Sequence, residues 1–96
     1  MKRALVLDVL KNSKPLLVER FGVIGLALFG STARDSANEN SDVDILVSFD
    51  GPATSERYFG VQFYLEDQLG TSVDLVTDKA LRSELKPYIQ KEALYV

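Results

Sequence analysis

An apolar run that carries two aspartates constrains this chain more than any other feature. Ser41-Asp42-Val43-Asp44-Ile45-Leu46-Val47 reads as a strand. It follows the end of an earlier apolar run, Leu28-Phe29, which breaks at Gly30-Ser31-Thr32-Ala33-Arg34. A strand alternates its faces, so Asp42 and Asp44 point the same way, about 7 Å apart along the strand, while Val43, Ile45 and Val47 point into a core. Two carboxylates on one strand face repel each other unless something positive lies between them. A hard divalent cation with oxygen ligands meets that need.

The Gly30-Ser31 turn supplies the other half of a site. Glycine lets the backbone approach a ligand closely and take φ > 0. Successive N–H groups at such a turn, leading into a short helix, make a concavity for an anion, and the Ser31 hydroxyl adds a further hydrogen bond. A third acid interrupts a later apolar strand, Thr71-Ser72-Val73-Asp74-Leu75-Val76. Placed beside the Asp44 strand, Asp74 joins the same cluster. Three carboxylates then hold two magnesium ions, or hold one while the third acts as general base. A phosphate cradle beside paired carboxylates is what metal-assisted phosphoryl or nucleotidyl transfer requires.

Each signature is weak alone. Gly-Ser ends many strands, and Asp-x-Asp with Ser41 as a turn residue suits a solvated strand end. Their combination, with a lone Asp inside a third apolar run, favours a catalytic site. Arg34 either contacts a phosphate or pairs with Asp35 or Glu39. Other chemistries are excluded by residue type. The chain has no histidine and no cysteine, so it carries no Ser-His-Asp triad, thiol nucleophile, disulfide, or His- or Cys-ligated zinc. It has no Gly-x-x-x-x-Gly-Lys-Ser/Thr stretch either.

Ninety-six residues, 46% of them apolar, suit one small globular domain, residues 1–96. A net charge of −3 argues against nucleic-acid binding by phosphate neutralisation and suits a site that gathers cations. No apolar stretch approaches membrane-spanning length, and the charged, amphipathic N-terminal segment reads as a helix rather than a signal peptide; the cytoplasm is the expected compartment.

Helical spacing predicts a helix over Lys2–Asn12, a break at Asn12-Ser13-Lys14-Pro15, and a second helix over Pro15–Phe21 stopped by Gly22. A central strand over Val23–Phe29 follows, then a short helical turn over Thr32–Ser36 and a loop at Asn38-Glu39-Asn40. The second strand spans Val43–Phe49. A long helix runs from Ser55, as N-cap, to Leu69 and stops at Gly70. Its apolar stripe is Tyr58, Val61, Leu65 and Leu69. Phe59 and Phe63 fall instead among its acids, where either a neighbouring segment covers them or they form a patch for a partner. A third strand over Val73–Val76 precedes helices at Asp78–Leu85 and Pro87–Leu94, with Tyr88, Ile89, Tyr95 and Val96 packed as a tail. The expected class is α/β (α+β): a small mixed sheet with helices on one face and Asp42, Asp44 and Asp74 on the open one.

The pattern Gly30-Ser31-Thr32-Ala33-Arg34, Ser41-Asp42-Val43-Asp44 and Asp74 resembles the minimal nucleotidyltransferase (MNT) domain of the DNA polymerase β-like nucleotidyltransferase superfamily. That family's pattern is Gly-Ser-x-Ala-Arg-Gly, a short loop, Ser-Asp-x-Asp and a later lone Asp. The likeness covers nearly the whole chain, including the tail from Lys79 to Val96, and implies the palm-like nucleotidyltransferase fold. It makes Gly30 and Ser31 the phosphate-binding pair, Arg34 the family arginine, Asp42 and Asp44 metal ligands and Asp74 the third carboxylate. Asp35 stands where the family has glycine, a departure in the loop's turn and not among the carboxylates. The resemblance further implies Mg2+, ATP as substrate, and a cognate HEPN-domain toxin, an RNase, whose tyrosine accepts AMP from this antitoxin. Only about twenty residues follow the third strand, too few for a separate acceptor-gripping domain. Two rivals stand beside it: an antitoxin that neutralises by occlusion, and an enzyme for a small molecule, like the aminoglycoside nucleotidyltransferases with their extra helical domain.

Overall fold

The first helix does not break where its proline predicts. In the computed structural model, which describes residues 2–36 and 42–96, α1 runs unbroken over Arg3–Phe21 with Pro15 inside it. Its buried residues are Val6, Leu10, Ser13 and Leu17, a single stripe at spacings of four, three and four that passes the proline. A mid-helix proline forfeits one backbone hydrogen bond and costs about 3 kcal/mol. Continuous burial of the stripe outweighs that cost. Gly22 ends the helix in the left-handed region, φ 71°, as expected.

Strand β1, Val23–Phe29, and strand β2, Val43–Phe49, have the expected bounds and pair antiparallel. Between them lies a four-residue helix, α2, Gly30–Ala33, which starts earlier than the Thr32–Ser36 turn read from sequence. The Asn38-Glu39-Asn40 loop and Ser41 lie outside the described residues. Helix α3, Ser55–Leu69, is capped by Thr54, whose hydroxyl accepts from the Arg57 N–H at 3.3 Å; Ser55 is its first helical residue and not the cap. Strand β3, Val73–Thr77, then pairs parallel with β2, a connection that needs a crossover, and α3 provides it.

Beyond β3 the sequence reading fails twice. No helix spans Asp78–Leu85. A single 3₁₀ turn forms at Asp78–Ala80, capped by the Thr77 hydroxyl. The segment that follows has no buried residue to fix a helical face, and short helices need tertiary burial to persist. The last helix, α4, is Lys86–Glu92, and Leu94–Tyr95 turns extended as a fourth strand, β4. It pairs antiparallel with β1, and the Val96 N–H adds a bond to the Leu26 carbonyl at 3.0 Å. Edge N–H and C=O groups of β1 gain partners that a longer helix would not give them. Ile89 and Val96 are half-buried, but Tyr88 and Tyr95 are exposed rather than packed.

The sheet order is therefore β3-β2-β1-β4, a mixed α/β arrangement with α1 and α3 on one face. Leu26, Leu28, Ile45, Val47 and Leu75 cluster there with Val6, Leu10, Leu17, Val61 and Leu65 of the two helices. Gly60 lets the Phe21 ring lie against α3; a Cβ at Gly60 would come within 2.7 Å of the Phe21 Cζ. Helix α3 also finishes the outer edge of β3. Tyr58 donates its hydroxyl to the Leu75 carbonyl, Gln62 Nε2 donates to the Val73 carbonyl at 3.0 Å, and Glu66 accepts from the Val73 N–H at 3.0 Å. These bonds satisfy the backbone on either side of Asp74 and fix its place in the strand. Phe59 and Phe63 are uncovered in the lone chain, 47% and 62% exposed, and stack on each other with centroids 5.8 Å apart. Among the described residues, no helix is long and apolar enough to cross a membrane.

Candidate active site

Sheet register puts the expected acids in one row. Phe29, the last residue of β1, pairs with Asp44, and Asp44 pairs with Asp74 across the parallel β2–β3 ladder. Parallel neighbours at the same level project the same way, with backbones about 4.8 Å apart, so the two carboxylates meet. Asp44 and Asp74 share a hydrogen bond, and Asp44 is pushed up to about 6 from the usual 3.8. Burial contributes most to that shift, then the Asp74 charge and hydrogen bond, then the Asp42 charge; Arg34 opposes it. Asp42 lies one residue before β2 and is exposed, as is Asp74. It acts on Asp44 through charge alone.

This shift makes stability depend on pH. The folded protein holds a proton on Asp44 more tightly than the unfolded chain does. Its contribution is fully present below pH 3.8 and is lost as pH rises through about 6. Water screens a half-buried group, so the contribution is about 1 kcal/mol. The stability difference between Asp44→Asn and the wild type should therefore change by that amount in favour of the variant between pH 4 and pH 7. Urea unfolding in chelator measures it.

Gly30 closes the row from above. Its φ of 73° lies in the left-handed region, and a Cβ there would overlap Asp44 Oδ2 and come within 2.8 Å of Asp44 Cγ. Only glycine lets the turn descend onto the carboxylate. The Gly30 N–H is turned to Glu92 Oε1, 2.9 Å away, and not to an open position. Ser31 is half-buried and is the second residue of α2. Arg3 steadies the far end of α2 by donating from Nη1 to the Ala33 carbonyl at 3.3 Å.

Arg34 has an acidic partner that sequence reasoning missed. Its Nη1 donates to both oxygens of Glu92 at 3.0 Å, and not to Asp35; Glu39 lies outside the described residues. Nothing local marked Glu92, which joins the site only through the β4 pairing. Asp35 takes φ 60°, in the left-handed region that glycine enters most readily. Aspartate tolerates that region better than most residues but at some cost. Asp35→Gly should raise stability by up to about 1 kcal/mol in thermal unfolding.

The donors suit a hard cation in kind: carboxylate oxygens whose mutual repulsion a cation would relieve. Among the described residues no three acids converge tightly enough to clasp an ion as they stand. Asp44 and Asp74 are in contact, and Asp42 acts on Asp44 through its charge.

The nucleotidyltransferase domain family matches this chain over residues 10–96. The chain is 41% identical over 89 residues to protein adenylyltransferase MntA of Thermococcus cleftensis, covering 93% of this chain and 90% of that one. It is 39% identical over 90 residues to MJ0128 of Methanocaldococcus jannaschii, also named as a protein adenylyltransferase, covering 93% and 92%. A solved structure described as a minimal nucleotidyltransferase superposes with a TM-score of 0.82 at 32% identity, over 98% of this chain and 95% of that one. A toxin–antitoxin structure solved with AMP-PNP shares the fold, with a TM-score of 0.72 at 22% identity over 88% of this chain and 70% of that one. The chain therefore belongs to the nucleotidyltransferase domain family, and within it to the minimal nucleotidyltransferases.

Proposed function

We propose that this chain, acting as a single domain in the cytoplasm, is an antitoxin. In this reading it transfers AMP from ATP to a hydroxyl, that of a tyrosine, on a cognate HEPN-domain RNase toxin, and so silences it. The observation that carries the reading is the Asp44–Asp74 contact directly beneath the Gly30 turn, with Arg34 beside it. The relatives named as protein adenylyltransferases and the toxin–antitoxin neighbour with AMP-PNP support it.

In this reading Ser31, through its N–H and hydroxyl, and Arg34 hold the β- and γ-phosphates. Gly30 contributes its missing side chain, which brings that turn down to the acids. Asp42, Asp44 and Asp74 would hold Mg2+, which when bound neutralises charge on the entering and leaving oxygens. The acceptor oxygen bonds to the α-phosphorus, the bond from that phosphorus to the bridging oxygen breaks, and pyrophosphate leaves. The hydroxyl proton passes to the exposed Asp74 carboxylate. Asp42, Asp74 and Arg34 all face solvent, an open site that a protein surface can approach.

The test is the intact mass of the cognate toxin after incubation with this chain, ATP and magnesium. Mass gains in AMP units support the reading. Binding and inhibition of the toxin with no mass gain leave the occluding antitoxin, and activity on a small molecule without any protein partner selects the other rival. We assign the stacked Phe59–Phe63 patch to the toxin interface. Replacing both with serine should abolish complex formation in size-exclusion chromatography while changing stability by less than about 1 kcal/mol, since both rings are already exposed. Unfolding of that variant would instead place the rings in the core.

A further inference from the structure

Glu92 reaches the Gly30 turn from the far end of the chain. One carboxylate oxygen accepts from the Gly30 N–H and from Arg34 Nη1, and the other accepts from the same Nη1. Its side chain is 33% exposed against 56% for Arg34, so the acid is the more anchored partner. The backbone behind it is fixed as well. The Ala93 N–H closes on the Ile89 carbonyl, Leu94 and Tyr95 pair with Leu28 and Ala27, and Lys14 Nζ donates to the Val96 carbonyl at 2.7 Å. Glu92 thus stands at the joint between a helix and a strand that grips β1, the strand that delivers Gly30.

Arg34 lies between two acidic poles. On one side is Glu92; on the other is Asp44, whose charged form Arg34 favours. A guanidinium released from Glu92 would swing to the Asp44–Asp74 pair, where it would make charge-assisted bonds. That would withdraw it from incoming phosphates and cover the carboxylates at once. An extra acid beside a site that must receive a triphosphate is costly unless it performs such a task.

We propose that Glu92 is a positioning residue: it holds Arg34 off the carboxylate pair and in place for the nucleotide's phosphates. The assignment rests on the nucleotidyl-transfer reading above. An arginine side chain loses rotamer freedom when it binds a phosphate, and Glu92 removes part of that freedom before the nucleotide arrives.

The experiment is calorimetric titration of the whole chain with ATP in magnesium. It compares the wild type, Glu92→Gln, Arg34→Ala and the double variant, with thermal unfolding alongside. Glutamine keeps an oxygen for the Gly30 N–H and removes the charge that holds Arg34. Glu92→Gln should weaken ATP binding about tenfold with little change in melting temperature, and the double variant should bind no more weakly than Arg34→Ala. A loss that persists in full in the Arg34→Ala background, or unfolding of Glu92→Gln, would make Glu92 a structural strut and overturn the assignment. Tighter binding by Glu92→Gln would overturn it too, by showing that the acid competes with the phosphates. Wild-type protein that binds no ATP, with Asp44→Asn making no difference, would overturn the assignment and the proposed function together.

Discussion

Asp42→Asn combined with Asp44→Asn should reduce AMP transfer by about a thousandfold or more, equivalent to about 4 kcal/mol of transition-state stabilisation, while leaving the fold intact. The two halves of that result have one origin. Asp44 lies against Asp74 and under Gly30, half-buried, where its charged form is disfavoured. Asparagine imitates the protonated acid in size, and its amide N–H can donate to Asp74 as the acid proton does. The metal-free fold therefore loses nothing and gains about 1 kcal/mol at neutral pH. For catalysis the same substitution removes two anionic oxygen donors that a hard cation needs, and no neutral amide replaces them. Initial rates across a magnesium titration, with unfolding measured in chelator, separate the two halves. A variant that keeps near-wild-type rates would sink the assignment of these aspartates. One that loses activity only by unfolding would show instead that the pair is structural.

The sequence made this pair legible because it breaks a local rule. Asp42 and Asp44 stand out against Val43, Ile45 and Val47 in the alternation that leads into β2, and the bounds of β1 and β2 follow from their apolar runs. Helix α3 was readable between its cap region and Gly70 because its stripe holds one period throughout. What the sequence did not carry was non-local. Pro15 argues for a break, and only the buried stripe of α1 against the sheet overrides it. Leu94 and Tyr95 have no strand pattern of their own; the edge of β1 recruits them. Glu92 follows from that recruitment, since its bonds to Gly30 and Arg34 span nearly two-thirds of the chain. The same holds for Gln62 and Glu66, which no local pattern marks and which complete the edge of β3 beside Asp74. Local pattern located the chemistry, and tertiary pairing supplied the groups that hold it in place.

Gly30→Ala should be nearly as damaging as loss of the acids, and it has an internal control. Two separate costs fall on it. Alanine at φ 73° enters the left-handed region, at about 1–2 kcal/mol. Its Cβ would also overlap Asp44 Oδ2 and press within 3.0 Å of Asp44 Cβ, so the turn must rise or the carboxylate must leave its place beside Asp74. Crowding of this kind costs a further 1–3 kcal/mol or so. A displacement of about 1 Å at a reacting centre costs about a hundredfold in rate. Gly70 separates the two costs. It has nearly the same backbone, φ 69°, yet a Cβ there meets nothing within 4 Å. Gly70→Ala should therefore lose only the conformational part, about 1 kcal/mol, and transfer AMP at the wild-type rate. The excess destabilisation of Gly30→Ala over Gly70→Ala measures the clash with Asp44, and the excess loss of rate measures what close approach of the turn contributes to catalysis. Equal behaviour of the two variants in both assays would mean that Gly30 serves only its turn, and that the contact between that turn and Asp44 does not matter for the reaction.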